Sequence, residues 1–118
     1  MKIFEKFQEK ELRKISEYIV SKDPEILKLG IECLRTSNTY KNLKPLSLFY
    51  YPEGNNFYKK VRLSTFINRN IKCLISDTCC SYDKTVVRSR LSRMFNKLLG
   101  DDVHKYFRRE FINTAKFL

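Results

Sequence analysis

The chain has 118 residues, of which 42% are hydrophobic and 14% aromatic, which is typical of a folded domain and excludes a disordered tail. Its 24 Lys and Arg outnumber its 13 Asp and Glu and give a net charge of +11, so we expect an anionic partner. No run approaches the roughly 20 apolar residues that cross a bilayer, and charges interrupt the first residues, so we expect no integral membrane association and no signal peptide.

The positive charge is unevenly distributed along what we expect to be a single domain, residues 1–118. Residues 1–35 carry eight basic and seven acidic side chains, whereas residues 36–118 carry sixteen basic and six acidic ones. The near-neutral first part is typical of a scaffold or a protein contact. The basic remainder has the field that attracts phosphates, anionic lipid surfaces or acidic proteins.

The cysteines predict a reducing compartment. Cys33, Cys73, Cys79 and Cys80 form no Cys-x-x-Cys pair, and a chain with this hydrophobic content needs no disulfides to fold. We therefore expect a cytoplasmic protein, or one inside a host cell. Its richness in Lys, Asn, Ile, Phe and Tyr is typical of AT-rich coding, which favours a virus, a phage or an AT-rich bacterium.

Two helices are predicted in the near-neutral part, over residues 3–20 and 23–35. Asp23 followed by Pro24 is a strong helix start, because the aspartate accepts from free amides and proline there loses no hydrogen bond. Only Ser21 and Lys22 separate the helices, so an antiparallel helical hairpin is predicted. The residues expected to be buried are Phe4, Phe7, Leu12, Ile15, Ile19, Ile26, Leu27, Ile31, Cys33 and Leu34.

The middle of the chain predicts a loop and then a hairpin. Residues 36–43 are mostly polar and indicate a loop or a single turn. Residues 46–52 are aromatic and β-prone, residues 53–56 have turn chemistry, and residues 57–63 alternate in part, which favours a small β-hairpin around residues 46–63. The alternative is a helix that begins at Phe57.

Three helices are predicted in the rest of the chain, over residues 64–75, 84–99 and from Asp101 or Asp102 to residue 118. Ser64 and Asp83 are the expected N-caps of the first two, and Gly100 is expected to end the second in the left-handed conformation. Phe66, Ile67, Ile71, Leu74 and Ile75 are expected to point inward from the first. The fold class is therefore mainly α, a compact bundle of four to five helices with a small β-hairpin, and α+β is the alternative.

The helix over residues 84–99 has the clearest pattern and the most basic surface. Val87, Leu91, Met94, Phe95 and Leu98 make one apolar stripe, and Arg90, Arg93 and Lys97 follow one flank of it. The outward face is formed by Thr85, Ser89, Ser92 and Asn96. Small polar side chains let a polyanion approach while the cations reach its phosphates, so we predict a nucleic-acid interface. Its residues are Lys84, Arg88, Arg90, Arg93, Lys97, Lys105, Arg108 and Arg109.

Secondary contacts are predicted where aromatic and basic residues alternate, since such residues stack bases beside phosphate contacts. They are Tyr50, Tyr58, Lys59, Lys60, Arg62, Arg69 and Lys72. The alternative is that the aromatic residues of the hairpin pack on the core. The helices before and after residues 76–83 resemble a helix-turn-helix only loosely, because that connector exceeds the turn of about 3–4 residues in the motif.

No catalytic site, cofactor or metal site is predicted. The spacing of Cys73, Cys79, Cys80 and His104 does not match zinc sites, there is no glycine-rich phosphate loop, and the single histidine reads as a surface residue. We expect a non-enzymatic nucleic-acid-binding protein, such as a regulator or replication accessory of a virus, phage or mobile element. The alternative is a structural or adaptor protein of a virion or larger assembly that binds an acidic protein partner.

Overall fold

Helices make up most of the chain that the computed structural model describes, which comprises residues 4–43, 48–52, 58–76, 83–101 and 103–107. The helices are α1 (Lys6–Ile19), α2 (Pro24–Thr36), α3 (Asn38–Leu43), α4 (Leu63–Ile75), α5 (Lys84–Leu98) and α6 (Val103–Tyr106), and the strands are β1 (Leu48–Pro52) and β2 (Tyr58–Arg62). The predicted mainly α class is confirmed.

The first two helices form the predicted helical hairpin. The Oδ1 atom of Asp23 accepts the Glu25 amide at 2.9 Å, and Pro24 is the first residue of α2, as expected of this start signal. The two helices pack closely at Gly30, where an added Cβ would lie 2.8 Å from the Cβ of Tyr18. On the surface of α1, Arg13 Nη2 lies 3.0 Å from Glu9 Oε1, an ion pair one helical turn apart.

A short helix, α3, occupies most of the predicted loop at residues 36–43. Ser37 caps it, because its Oγ accepts the Tyr40 amide at 3.2 Å and its carbonyl accepts the Lys41 amide at 3.0 Å. Ser37, Thr39 and Tyr40 are all buried. The segment is helical because Tyr40 is packed into the core, which its polar composition did not indicate.

The predicted β-hairpin is confirmed as an antiparallel pair of β1 and β2, in the register Leu48 with Arg62 through Pro52 with Tyr58. The predicted turn, residues 53–56, lies outside the described residues. Strand β2 passes directly into α4, so Arg62 occupies the N-cap position and makes no side-chain capping bond. The predicted cap at Ser64 is therefore wrong, because burial of Leu63 starts the helix before it.

One hydrophobic core is shared by all six helices described. Helix α5 is central, because it contacts α1, α4 and α6 and buries Val87, Leu91, Met94, Phe95 and Leu98, all five residues of its predicted stripe. Helix α4 buries Phe66, Ile67, Ile71 and Leu74, as predicted. The side-chain Nδ2 of Asn70 donates to the Phe66 carbonyl at 2.7 Å, which explains a buried polar residue that the apolar pattern did not predict.

Three residues predicted to be buried are exposed: Phe7, Ile26 and Ile75. Each neighbours a buried residue about 100° away around the helix axis, and in these three pairs only that neighbour is covered by the core. In α1 the buried position belongs to Gln8, whose Oε1 accepts the Glu5 amide at 3.0 Å. In α2 and α4 it belongs to Leu27 and Leu74.

The end of α5 and the start of the last helix also differ from prediction. The backbone of Gly100 is not in the left-handed region. It lies so near the last turn of α5 that an added Cβ would be 2.7 Å from the Asn96 carbonyl oxygen. Helix α6 ends at Tyr106, and Phe107 already takes part in a β-bridge, so the predicted uninterrupted helix from Asp101 or Asp102 is wrong. Its remainder, residues 108–118, lies outside the described residues.

Candidate nucleic-acid interface

The predicted cations of α5 lie on two different sides of that helix. At about 100° per residue, Lys84 and Arg88 follow one flank of the buried stripe, and Arg90, Arg93 and Lys97 follow the opposite flank. Lys84 and Arg88 line a groove with residues of α2 and the end of α4. The structure therefore does not bring all the predicted site residues into one patch.

Three of the predicted cations, Arg93, Lys97 and Lys105, do come together where α5 meets α6; we call them the basic cluster. The pKa of Lys97 is lowered by burial first, and then by the charges of Arg93 and Lys105. Cations close enough to lower the pKa of Lys97 are close enough to act with it on one ligand. The convergence of the two C-terminal helices, which the nucleic-acid prediction needed, is present for these residues.

An aromatic ring holds the lysines of the basic cluster. The Nζ atom of Lys97 lies 4.5 Å from the centroid of the Tyr106 ring, and that of Lys105 lies 5.7 Å from it. Both distances are within the range of a cation–π contact. Tyr106 is not among the contacts predicted from the sequence. Its ring is half-buried, and its contact with the lysines depends on the packing of α6 against α5.

The basic cluster is not neutralised by the part of the chain that the structure describes. No carboxylate there lies within 4.0 Å of a charged nitrogen of its three residues. Two carboxylates of the N-terminal hairpin form pairs within their own helices, Glu9 with Arg13 at 3.0 Å and Glu32 with Arg35 at 3.6 Å.

The small polar face predicted beside these cations is partly present. Thr85 and Asn96 are exposed, whereas Ser89 and Ser92 are half-buried. Thr85 lies in the first turn, where its amide donates to Asp83 Oδ1 at 2.8 Å and so confirms the predicted cap. Arg90 is half-buried on the flank of the basic cluster.

The other predicted contacts are distributed over the molecule. Arg62, Arg69 and Lys72 are exposed, at the start and on the outside of α4. Tyr50, Tyr58, Lys59 and Lys60 lie on the hairpin, where Tyr50 pairs in register with Lys60. The side chains of these four, and Arg108 and Arg109 entirely, lie outside what the structure describes, so the proposed stacking by the hairpin stays a prediction.

Cysteine, histidine and acidic side chains form no metal-binding group of three or more within the described ranges. Cys33 and Cys73 are free, half-buried thiols that pack against the core, whereas Cys79, Cys80 and the His104 side chain lie outside those ranges. None of the described helices is long and apolar enough to cross a membrane.

Comparisons with known proteins place this chain in no group. No family model matches it, and neither a curated protein nor a solved structure is significantly similar to it.

Proposed function

We propose that this protein binds nucleic acid without catalysis, through contacts of the basic cluster with the phosphate backbone. The observation that carries the proposal is the proximity of Arg93, Lys97 and Lys105, close enough for their charges to lower the pKa of Lys97. Holding like charges together costs free energy in the unbound protein. A ligand with closely spaced negative charges offsets that cost, and the phosphates of a nucleic acid strand are such charges.

The basic cluster is better suited to binding phosphates than to recognising bases. Tyr106 is the aromatic ring of the cluster, and the ammonium groups of Lys97 and Lys105 already occupy positions over it. A ring covered by cations is not free to stack a base, so it acts by positioning the lysines. Contacts of this kind carry little sequence information, and we expect weak sequence preference.

The test is a titration of labelled single- and double-stranded oligonucleotides by fluorescence anisotropy at several salt concentrations. For duplex DNA, each phosphate contact contributes about 0.9 to the slope of log affinity against log salt concentration. The combined variant Arg93→Gln, Lys97→Gln, Lys105→Gln should therefore reduce the magnitude of that slope by about 3.

The matched control removes the same net charge from another surface. Lys6, Lys10 and Lys14 are exposed on α1, and their combined change to Gln should leave the slope close to that of the unmodified protein. Equal losses in both variants would mean that net charge alone drives binding. An unchanged slope in the Arg93, Lys97 and Lys105 variant, with its circular dichroism spectrum intact, would reject the basic cluster as the site.

The setting expected from the composition, a regulator or replication accessory of a virus, phage or mobile element, stays a prediction. The same holds for an intracellular location.

A further inference from the structure

A groove of about 550 Å³ separates α2 from the end of α4 and the start of α5, on the flank of α5 away from the basic cluster. Its floor is apolar, formed by Leu27 and Ile31 of α2 with Leu74 and Ile75 of α4. Its volume is within the range of about 300–1,000 Å³ of sites that take specific ligands. We call it the α2–α5 groove.

The floor is not fully covered by the protein itself. Ile75 is 61% exposed, although it is a large aliphatic residue at the end of an otherwise well-packed helix. An exposed apolar side chain beside other apolar residues in a concave surface is typical of a binding site, whereas a scattered one is ordinary. The floor therefore favours an apolar group on whatever occupies the groove.

The charges around the floor are mostly positive. The cations are Lys22, Lys28, Arg35, Lys84 and Arg88. The carboxylates are Glu25 and Glu32, and the second of these pairs with Arg35. An occupant with carboxylates on both sides of an apolar anchor would complement this rim.

Arg88 gives a second indication of an acidic occupant. Its Nε atom is buried, and within the described chain it has no hydrogen-bond acceptor. A buried guanidinium nitrogen without an acceptor is unfavourable, so a carboxylate that neutralises the exposed part of this side chain is favoured. Lys84 lies one helical turn before it, a spacing that suits two carboxylates one turn apart on a partner helix.

We infer that the α2–α5 groove binds a short amphipathic segment of a partner protein, with apolar anchors on the floor and Asp or Glu facing Lys84 and Arg88. Its two walls are helices, and an open groove between helices with an apolar floor is a common receptor for a partner helix. A nucleic acid backbone fits the rim but gains nothing from Ile75 and its apolar neighbours. The inference is thus independent of the proposed function, because it concerns other residues and another ligand class.

The test uses a displayed library of helical peptides in which leucines at helical spacing are fixed and the flanking positions are randomised among Glu, Gln and Lys. The library is selected on the full chain, and the enriched peptides are measured by fluorescence anisotropy. We expect enrichment of Glu at positions one turn apart. We also expect affinity to fall about tenfold or more in Ile75→Glu and in the pair Lys84→Glu, Arg88→Glu.

Two variants serve as controls. Val86→Glu changes another exposed apolar residue, on α5 outside the groove, and should leave peptide affinity unchanged. The Arg93, Lys97 and Lys105 variant should also bind the peptide normally, which separates this inference from the proposed function. Enrichment of Lys or Gln, absence of any enrichment, or peptides that bind Ile75→Glu as well as the unmodified chain would overturn the inference.

Two other possible occupants of the groove are tested by separate measurements. If a second copy of this chain fills the groove, light scattering will show a dimer that Ile75→Glu dissociates. If an anionic membrane fills it, sedimentation with phosphatidylglycerol vesicles will depend on Ile75. Either result would overturn the partner-segment inference.

Discussion

At the scale of single residues, Tyr40 is the clearest case of a group whose burial costs stability. Its ring belongs to the core, and its hydroxyl is buried with no hydrogen-bond partner within the described chain. Burial raises the pKa of Tyr40 to about 12, because the ionised form would lose its hydration.

We predict that Tyr40→Phe stabilises the protein by about 1 kcal/mol at neutral pH, because it removes an unsatisfied buried hydroxyl and keeps the ring. The pH dependence has a definite sign. Between its ordinary pKa of 10.0 and the folded-state pKa of about 12, Tyr40 ionises only in the unfolded chain, so the protein becomes less stable as pH rises through this range. The stability of the Tyr40→Phe variant should not decrease for this reason over the same pH range.

Urea unfolding at pH 7 and at several alkaline values checks both parts of the Tyr40 prediction. Tyr18→Phe, at a half-buried ring, is the control for removal of a tyrosine hydroxyl. A destabilised Tyr40→Phe variant would show that the hydroxyl makes a stabilising hydrogen bond in solution.

At Lys97, binding and stability oppose each other. Burial and its cationic neighbours lower its pKa, and so disfavour the charged form that a polyanion needs. Its contact with the Tyr106 ring is worth about 0.5–1 kcal/mol in the other direction.

We predict that Lys97→Met weakens oligonucleotide binding while leaving the protein at least as stable in low salt, since repulsion inside the basic cluster is relieved. Any gain in the free energy of unfolding of Lys97→Met should become smaller as salt screens the remaining charges. Urea unfolding at two salt concentrations measures this free energy. Lys14→Met is the control, because Lys14 also lies over a ring, 5.9 Å from Tyr18, but shares its surroundings with Glu11. Equal destabilisation of both variants would show that repulsion is negligible at Lys97.

At the scale of elements, the packing of α1 against α2 depends on Gly30. A Cβ there would lie 2.8 Å from the Tyr18 Cβ and 3.0 Å from the Ile19 backbone nitrogen. Backbone atoms cannot move aside as the end of a flexible side chain can, so the two helices would have to separate.

We predict that Gly30→Ala destabilises the protein by about 1–3 kcal/mol through this clash, even though alanine favours an isolated helix by about 1 kcal/mol. The control is Lys28→Ala on the exposed surface of α2, which should change stability by less than about 0.5 kcal/mol. Thermal unfolding followed by circular dichroism compares them. A stabilised Gly30→Ala variant would mean that the hairpin is packed less closely.

At the scale of the whole molecule, the net charge of the chain is +11, and two of its basic surfaces lie on opposite flanks of α5. One is the basic cluster, and the other is the rim of the α2–α5 groove. Since the buried stripe of α5 separates them, a ligand on one leaves the other accessible. The two proposals therefore do not compete for the same residues.

We predict that the protein is stabilised by added sodium chloride in the range from about 10 mM to 150 mM, over which the Debye length falls from about 30 Å to 8 Å. Screening reduces the self-repulsion of a chain with this excess of positive charge. Thermal unfolding at constant pH measures the effect. The combined Lys6, Lys10 and Lys14 variant, with a lower net charge, should respond less; a melting temperature independent of salt in both would contradict the prediction.

The sequence by itself determined the mainly α class, the position of α5 and its buried stripe, and the caps at Asp23 and Asp83. These are local: a stripe repeats at the helical period, and a cap depends on one side chain and an amide two residues away. The sequence also predicted the near-neutral helical hairpin and the β-hairpin, because a short link or a run of turn residues forces the chain to reverse its direction.

Only the tertiary structure decided which cations meet. Arg93 and Lys97 join Lys105 because α6 folds back on α5, whereas Lys84 and Arg88 face α2 across a groove. Periodicity places a residue on a side of its own helix and says nothing of the element that lies opposite. The contacts of Tyr106, Ile75 and Gly30 are made between different elements, so the pattern within one element did not predict them.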